Sequence, residues 1–327
     1  MLTSIRDGLW AGLRHPKLVL LIWTWNLLLA LCAALPAFGW WTRAFSRSPE
    51  ASTLLQRFNF GVLADLTKYD EAGGFALLFG AVGGLMFLSL LASAFVMGGI
   101  LEVLANDDDA RPFLHRFFRG GGHFFWRFVR LLLIAGVCLV VVVATVSATV
   151  GALTAPMADS EWEPAGYLVG LGNLLVLAIV AAFFLLGLDY ARIKVAALGS
   201  HGMLRAYFGA LGFVARHLFA TYAMALVMVV LMAALMLAYL GYETYRTTDS
   251  WGAIALLLAV QQAVVLGRAG LRVALVGAER SFYARRTPVA MTAPSAVPAG
   301  AISPTAGIPA DETLAFLSSL LHTMRFG

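Results

Sequence analysis

Six long apolar stretches constrain the fold of this sequence more than any other feature. A helix needs about 20 apolar residues to cross the hydrocarbon core of a bilayer. Leu, Ala, Val and Gly fill the stretches without the alternation typical of strands, and backbone groups in lipid must be hydrogen-bonded within their own segment. We therefore predict an all-α, polytopic integral membrane bundle with six transmembrane helices, at residues 18–41, 73–101, 131–155, 167–188, 218–240 and 251–267.

The composition excludes an ordinary soluble protein. Hydrophobic residues make up 61% of the 327 residues and charged residues only 13%, whereas roughly a quarter of the residues in soluble domains are charged. The first apolar stretch follows Arg6, Arg14 and Lys17 and has no small-residue cleavage site in the right place. We therefore interpret it as a membrane anchor and not as a cleaved signal peptide.

Most of the Lys and Arg residues fall on one side of the predicted membrane. If both termini lie on that side, it receives 18 of the 23 Lys and Arg residues, in the two termini and in the loops after helices two and four. Loops rich in Lys and Arg stay in the cytoplasm. The sequence therefore predicts a multi-pass protein with cytoplasmic N- and C-termini.

The sequence shows no pattern for catalysis, metal binding or a cofactor. The formal net charge of +5 follows from the orientation bias and does not predict a nucleic-acid partner. Cys32 and Cys138 lie within apolar stretches without CxxC spacing, and the histidines form no HExxH motif and no i,i+4 pair. We therefore predict a protein that is not an enzyme.

Two kinds of segment recur around the predicted helices. Basic amphipathic stretches precede the odd-numbered helices, at residues 5–17, 113–130 and 203–217, and glycines at 120–122 predict a flexible break or an elbow within the second. Small and apolar residues follow the even-numbered helices, as VMGGILEVLAND, GLDYARIKVAALGS and GRAGLRVALVGAERS. Three helical hairpins, each introduced by an interfacial elbow helix, explain both patterns. Since the stretches match in pattern and not in identity, a true threefold repeat and a chance likeness both stay open.

A few polar residues lie within or next to the apolar stretches. Asn26, Gln261 and Gln262 are amides at membrane depth, for which hydrogen bonds between helices are favoured over a polar cavity. Asp189 ends the fourth predicted helix, and Arg268 and Arg272 follow the sixth at i,i+4 spacing. We expect an ion pair between Asp189 and one of these arginines, for which a structural contact between helices with snorkelling arginines is favoured over a gate or an anion site.

Glycines give the second predicted helix faces on which another helix can approach closely. They occur at positions 80, 83, 84, 98 and 99. Tight packing or oligomerisation is the favoured interpretation, and a broken transport helix is the alternative.

Two segments lie outside the six-helix scheme. Residues 42–72 form a loop of mixed charge, for which we expect a place on the membrane surface or over the bundle. Residues 287–310 are rich in Pro and Ala and predict an extended linker. Residues 311–327 then predict a short amphipathic helix, and its apolar face is a candidate surface for docking on a partner, formed by Leu314, Leu317, Leu321 and Met324.

Four features together resemble a known group of proteins. They are the elbow GLWAGLRHPKLVLL, the six predicted membrane helices, the motif DYARIKVAAL after the fourth of them and a second elbow before the fifth. The chain resembles, over residues 1–285, bacterial six-span proteins related to the membrane domain found beside glycerophosphodiester phosphodiesterases. The resemblance implies a helical bundle with interfacial elbows in the bacterial inner membrane, and it transfers no catalytic residue to this chain.

Three functional hypotheses follow from these patterns. The first is a non-enzymatic accessory or scaffold subunit of a larger inner-membrane complex, with membrane lipids and other integral membrane subunits as partners. The second is a transporter for a lipid or another hydrophobic small molecule, motivated by the three amides and the hairpin pattern. The third, an interfacial lipid-modifying enzyme, needs a paired acid and base that the sequence does not show.

Overall fold

The computed structural model describes residues 1–45, 74–106, 111–154, 164–199, 202–244 and 250–287. The described residues form eight α-helices and no strand. We number the helices α1 to α8 in chain order: Leu2–Arg14, Pro16–Phe45, Gly74–Ala105, Phe113–Thr154, Pro164–Leu198, Met203–Arg216, Leu218–Thr244 and Trp251–Arg286.

Six of these helices are long and apolar enough to cross a membrane: α2, α3, α4, α5, α7 and α8. They contain the predicted stretches apart from residues 73 and 155, which lie outside the described residues. The prediction of an all-α, multi-pass membrane protein is confirmed. Several of the helices extend well beyond the predicted stretches. Helix α4 has 42 residues and is therefore about 63 Å long, about twice the thickness of the hydrocarbon core.

Two of the three predicted elbows are separate helices. Helix α1 ends at Arg14, and α2 begins at Pro16, a residue that suits the first position of a helix but not its interior. Helix α6 ends at Arg216, and the non-helical backbone of His217 separates it from α7.

The second elbow is continuous with its transmembrane helix, and the predicted break at residues 120–122 was wrong. Helix α4 runs from Phe113 to Thr154 through all three glycines. Gly120 packs against Gly98 and Glu102 of α3, and Gly121 packs against Phe95. Because these contacts need a surface without side chains, the packing retains glycines that cost about 1 kcal/mol each in helix propensity.

The three hairpins contact one another in a cycle, because the elbow of each packs against another hairpin. Consecutive membrane helices form the three predicted hairpins, α2 with α3, α4 with α5, and α7 with α8. The elbow that begins each hairpin packs against the last part of another hairpin's second helix. Thus α4 begins against α3, α6 packs against α5, and α1 packs against α8, so that the first helix of the chain contacts the last.

The buried core lies at one end of the bundle. We call this end the elbow end: it contains α1, α6, the first part of α4 and the last parts of α3, α5 and α8. The largest fully buried side chains are there, including Tyr190, Tyr207, Phe117, Phe128 and Ile193. The rest of each membrane helix, which we call its distal part, is much less buried. In the most apolar 18-residue window of α5 no residue is buried, and in that of α3 39% are.

Candidate functional site

A cavity of about 730 Å³ lies between α2, α7 and α8. We call it the arginine cavity, because Arg268 and Arg272 of α8 line it. Asn26 of α2 contributes an amide to the lining. The other lining residues are apolar: Ile22, Ala30, Ala225, Met228, Val229, Met232, Ala233, Met236, Val265, Ala269, Leu271 and Leu275. A cavity of this size accommodates a small-molecule ligand.

One wall of the arginine cavity is built from three methionines. Met228, Met232 and Met236 lie at i, i+4 and i+8 on α7, a spacing that places them on one helix face. All three line the cavity. Methionine side chains are flexible and polarizable, so this wall can adapt to an apolar ligand of irregular shape.

The charged and apolar parts of the cavity lie at different depths. Helix α8 begins with the exposed Trp251, a residue type that favours the membrane interface. With a rise of 1.5 Å per residue, Arg268 lies about 25 Å and Arg272 about 32 Å along the helix, close to the thickness of the hydrocarbon core. The arginines therefore lie toward the elbow end, and the methionine wall extends into the membrane.

Most arginines that the structure describes in detail have protein partners, but the two in the cavity do not. Within the described part of the chain, Arg268 and Arg272 form no hydrogen bond and no ion pair within 4 Å. By contrast, Arg119 pairs with Glu102, Arg285 with Asp7 at 2.6 Å, and Arg192 with Asp189 at 3.1 Å.

Asp189 makes its ion pair within its own helix. Its carboxylate accepts a hydrogen bond from Arg192, three residues later on α5. Arg272 lies near enough to interact electrostatically with Asp189, whereas Arg268 has no such contact in the described residues. The interhelical ion pair expected from the sequence is thus replaced by a local pair, with Arg272 beside it.

A buried acid lies beyond this pair, at the elbow end. Glu279 of α8 is 1% exposed, and neither of its carboxylate oxygens has a hydrogen-bond partner among the described residues. Asp189 and Arg192 are its electrostatic neighbours. Sequence reasoning missed Glu279, because the stretch after the sixth predicted helix gave no sign that Glu279 would lie buried near Asp189 and Arg192 of α5.

The three predicted amides have different surroundings. Gln262 accepts a hydrogen bond of 3.1 Å from Nε1 of Trp23 and so joins α8 to α2. Gln261 is exposed on another face of α8, and Asn26 lines the arginine cavity. The amides therefore do not form one polar site.

The glycines of α3 divide into two groups. Gly98 and Gly99 contact Gly120 and Phe117 of α4. A Cβ atom at Gly80, Gly83 or Gly84 would meet nothing within 4 Å in the described structure. The glycine face at the distal part of α3 is therefore uncovered by the described chain.

Tyr207 is a buried polar group at the elbow end. Its hydroxyl donates a hydrogen bond of 3.3 Å to the carbonyl oxygen of Phe184. Burial, with a smaller contribution from Cys138, raises the pKa of Tyr207 to about 12. The hydroxyl therefore stays protonated and acts as a structural donor between α6 and α5.

Several predictions fall outside the described residues. These include most of the loop at 42–72, the linker at 287–310 apart from Thr287, and the helix at 311–327 with Leu314, Leu317, Leu321 and Met324. The predicted docking role of that helix stays a prediction.

The fold and the arginine cavity define a multi-pass helical membrane protein with an amphipathic cavity open to a ligand. Comparison with known proteins adds no family: no family model, no curated protein and no solved structure matches the chain. The resemblance to the membrane domain beside glycerophosphodiester phosphodiesterases therefore stays a prediction from the sequence.

Proposed function

We propose that this chain is a non-enzymatic accessory or scaffold subunit of a larger assembly in the bacterial inner membrane. The observation that carries the proposal is the contrast in burial along the membrane helices. The elbow end forms a complete core within the chain, but the distal parts use little of their surface for internal packing. That surface is available to lipid and to helices of other subunits.

The uncovered glycine face of α3 supports contacts with other helices. Gly80, Gly83 and Gly84 are spaced so that a second helix can approach the backbone closely. Two other glycines of this helix, Gly98 and Gly99, already allow a close approach of this kind between α3 and α4 within the chain. We propose that the distal glycines allow a similar approach by a helix of another subunit.

The proposed orientation places both termini and the elbow end in the cytoplasm. It is supported by the arginines at this end, among them Arg119, Arg192 and Arg280, since Lys and Arg mark cytoplasmic segments. Cysteine accessibility tests it: a cysteine placed at exposed Arg205 of α6 should react with a membrane-impermeant reagent only when the cytoplasmic face is open.

The scaffold function is tested by placing a large side chain on the glycine face of α3. Gly83→Leu should remove stoichiometric subunits from the particle purified from native membranes in a mild detergent, because its side chain blocks close helix approach. The matched control is Gly136→Leu on α4, which also meets open space and should leave the particle intact. A wild-type particle that contains this chain alone contradicts the proposal.

The arginine cavity favours a second candidate, a transporter for a lipid or another hydrophobic molecule. Met232→Trp places a larger side chain in the cavity. It should abolish transfer of a fluorescent lipid across the bilayer of proteoliposomes. Leu237→Trp, on an exposed part of α7, is the control and should transfer lipid at the wild-type rate. Equal rates for wild type and Met232→Trp contradict transport through this cavity.

A further inference from the structure

We propose that the arginine cavity binds an anionic amphiphile that carries a phosphate group, such as an anionic phospholipid. Arg268 and Arg272 bind the phosphate, and the apolar part of the ligand lies along the methionines of α7. This site does not depend on the scaffold function. It also names a ligand class for the transport candidate, and a binding experiment tests it without relying on transport.

The charge of the cavity favours an anion. Arg268 and Arg272 are one helical turn apart and both line the same cavity, so their positive charges repel each other. Asp189 is the acid with an electrostatic effect on Arg272, and its carboxylate already pairs with Arg192. Cations at the edge of the hydrocarbon core are costly unless a negative charge compensates them. A bound phosphate supplies that negative charge.

Arginine also has the right chemistry for phosphate. Its planar guanidinium can donate two parallel hydrogen bonds to phosphate oxygens. Two arginines at i,i+4 lie on the same face of a helix, so their donors can converge on one group. Asn26, on the facing helix α2, provides an amide that can donate to an ester or hydroxyl oxygen of the ligand.

The shape of the cavity separates an amphiphile from a free anion. A free phosphate needs only the part of the cavity next to the arginines. The remaining volume of the 730 Å³ cavity is bounded by Met228, Met232 and Met236, and this wall extends into the membrane. An apolar chain attached to the phosphate can fill that volume.

Two other cavities lack this combination. A cavity of about 410 Å³ at the elbow end is lined by Asp7 as well as Arg14, His15 and Arg280. Arg280 already donates to the carbonyl oxygen of Leu104, and Arg14 also has an interaction partner. A groove of about 720 Å³ between α2, α3 and α4 is apolar apart from Lys17 and Thr24. Neither offers two unpaired arginines beside an apolar wall.

The binding test uses the purified full chain in a zwitterionic detergent, with lipid added in known amounts and bound lipid counted by native mass spectrometry. Wild type should bind phosphatidylglycerol at least about tenfold more tightly than phosphatidylcholine. The double variant Arg268→Gln/Arg272→Gln should lose that preference. The control Arg205→Gln/Arg216→Gln removes the same charge from exposed positions on α6 and should keep the preference.

A comparison with inorganic phosphate separates the two possible sources of the phosphate group. Met232→Trp narrows the apolar part of the cavity and keeps both arginines. It should weaken phosphatidylglycerol binding about tenfold while leaving the weak binding of inorganic phosphate unchanged. This variant also carries the test if the double glutamine variant does not fold.

Three results would overturn the proposal. The first is an unchanged lipid preference in the double glutamine variant. The second is an equal loss in the Arg205→Gln/Arg216→Gln control, which means that surface charge alone attracts the lipid. The third is tight binding of inorganic phosphate with no effect of Met232→Trp on phosphatidylglycerol, which assigns the cavity to free anions. The double glutamine variant should leave the subunit composition of the native particle unchanged, so failure of this proposal and failure of the scaffold proposal are distinguishable.

Discussion

The elbow end and the distal parts of the membrane helices differ in both composition and packing: the elbow end carries many arginines and the distal parts are almost entirely apolar, yet the buried core lies at the elbow end. At the elbow end, Tyr190, Tyr207 and Phe128 are fully buried. In the distal parts, large apolar residues such as Phe38 and Leu35 of α2 remain exposed. Apolar content and burial are therefore separate properties in this molecule.

The solvent explains the difference. Helix α4 is too long for the hydrocarbon core, so a large part of it lies outside. At the elbow end, burial removes an apolar side chain from water or from the membrane–water interface, which is favourable. In lipid, an apolar side chain gains little by exchanging lipid contacts for protein contacts. The tertiary structure is therefore held mainly at the elbow end, and the distal parts are free to contact lipid or partners.

The largest expected effect comes from truncating a core aromatic residue. Phe128 of α4 is fully buried and stacks on Phe124 at a centroid distance of 5.5 Å. Phe128→Ala should lower the free energy of unfolding by about 3–5 kcal/mol, because it removes contacts and leaves a cavity. The measurement is reversible unfolding in mixed detergent micelles.

The matched change in the distal region is Phe38→Ala on α2. Phe38 is 69% exposed, so its loss should change the free energy of unfolding by less than about 0.5 kcal/mol. Equal losses for the two variants would show that the distal parts contribute to the tertiary structure as much as the elbow end.

A smaller loss is expected from crowding the contact between α3 and α4. A Cβ atom at Gly120 would lie 2.8 Å from the carbonyl oxygen of Gly98. Gly120→Leu should therefore lower the free energy of unfolding by about 1–3 kcal/mol through overpacking. The thermal unfolding midpoint in detergent, followed by tryptophan fluorescence, measures the change.

Gly122 provides the control on the same helix. A Cβ atom there meets nothing within 4 Å in the described structure. Gly122→Leu should leave the midpoint unchanged or raise it, because leucine has the higher helix propensity. If Gly120→Leu has no larger effect than Gly122→Leu, the glycines of α4 do not serve close packing.

The sequence predicted the elements of this fold better than their contacts. The six membrane helices and the elbows follow from residue patterns within single segments, namely long apolar runs and the amphipathic stretch before Pro16. The break at residues 120–122 was predicted wrongly because glycine propensity is local, whereas the stabilising contact with Gly98 comes from a different helix.

The candidate site could be predicted only in part. Arg268, Arg272 and Asn26 were recognised as polar groups in apolar surroundings, which a sequence shows directly. Their common cavity depends on how α2, α7 and α8 pack, and no pattern within one segment reports that. Arg192, not the arginines of α8, became the partner of Asp189, because a neighbour one turn away needs no tertiary arrangement.

The smallest expected effect comes from the amides of α8. Gln262→Ala removes the hydrogen bond from Nε1 of Trp23 and should lower the free energy of unfolding by about 0.6 kcal/mol, the usual size of a hydrogen bond between membrane helices. Gln261→Ala, its exposed neighbour, should have no measurable effect. A double-mutant cycle of Gln262→Ala with Trp23→Phe isolates the bond. A coupling energy near zero would mean that this hydrogen bond contributes nothing to the packing of α2 on α8.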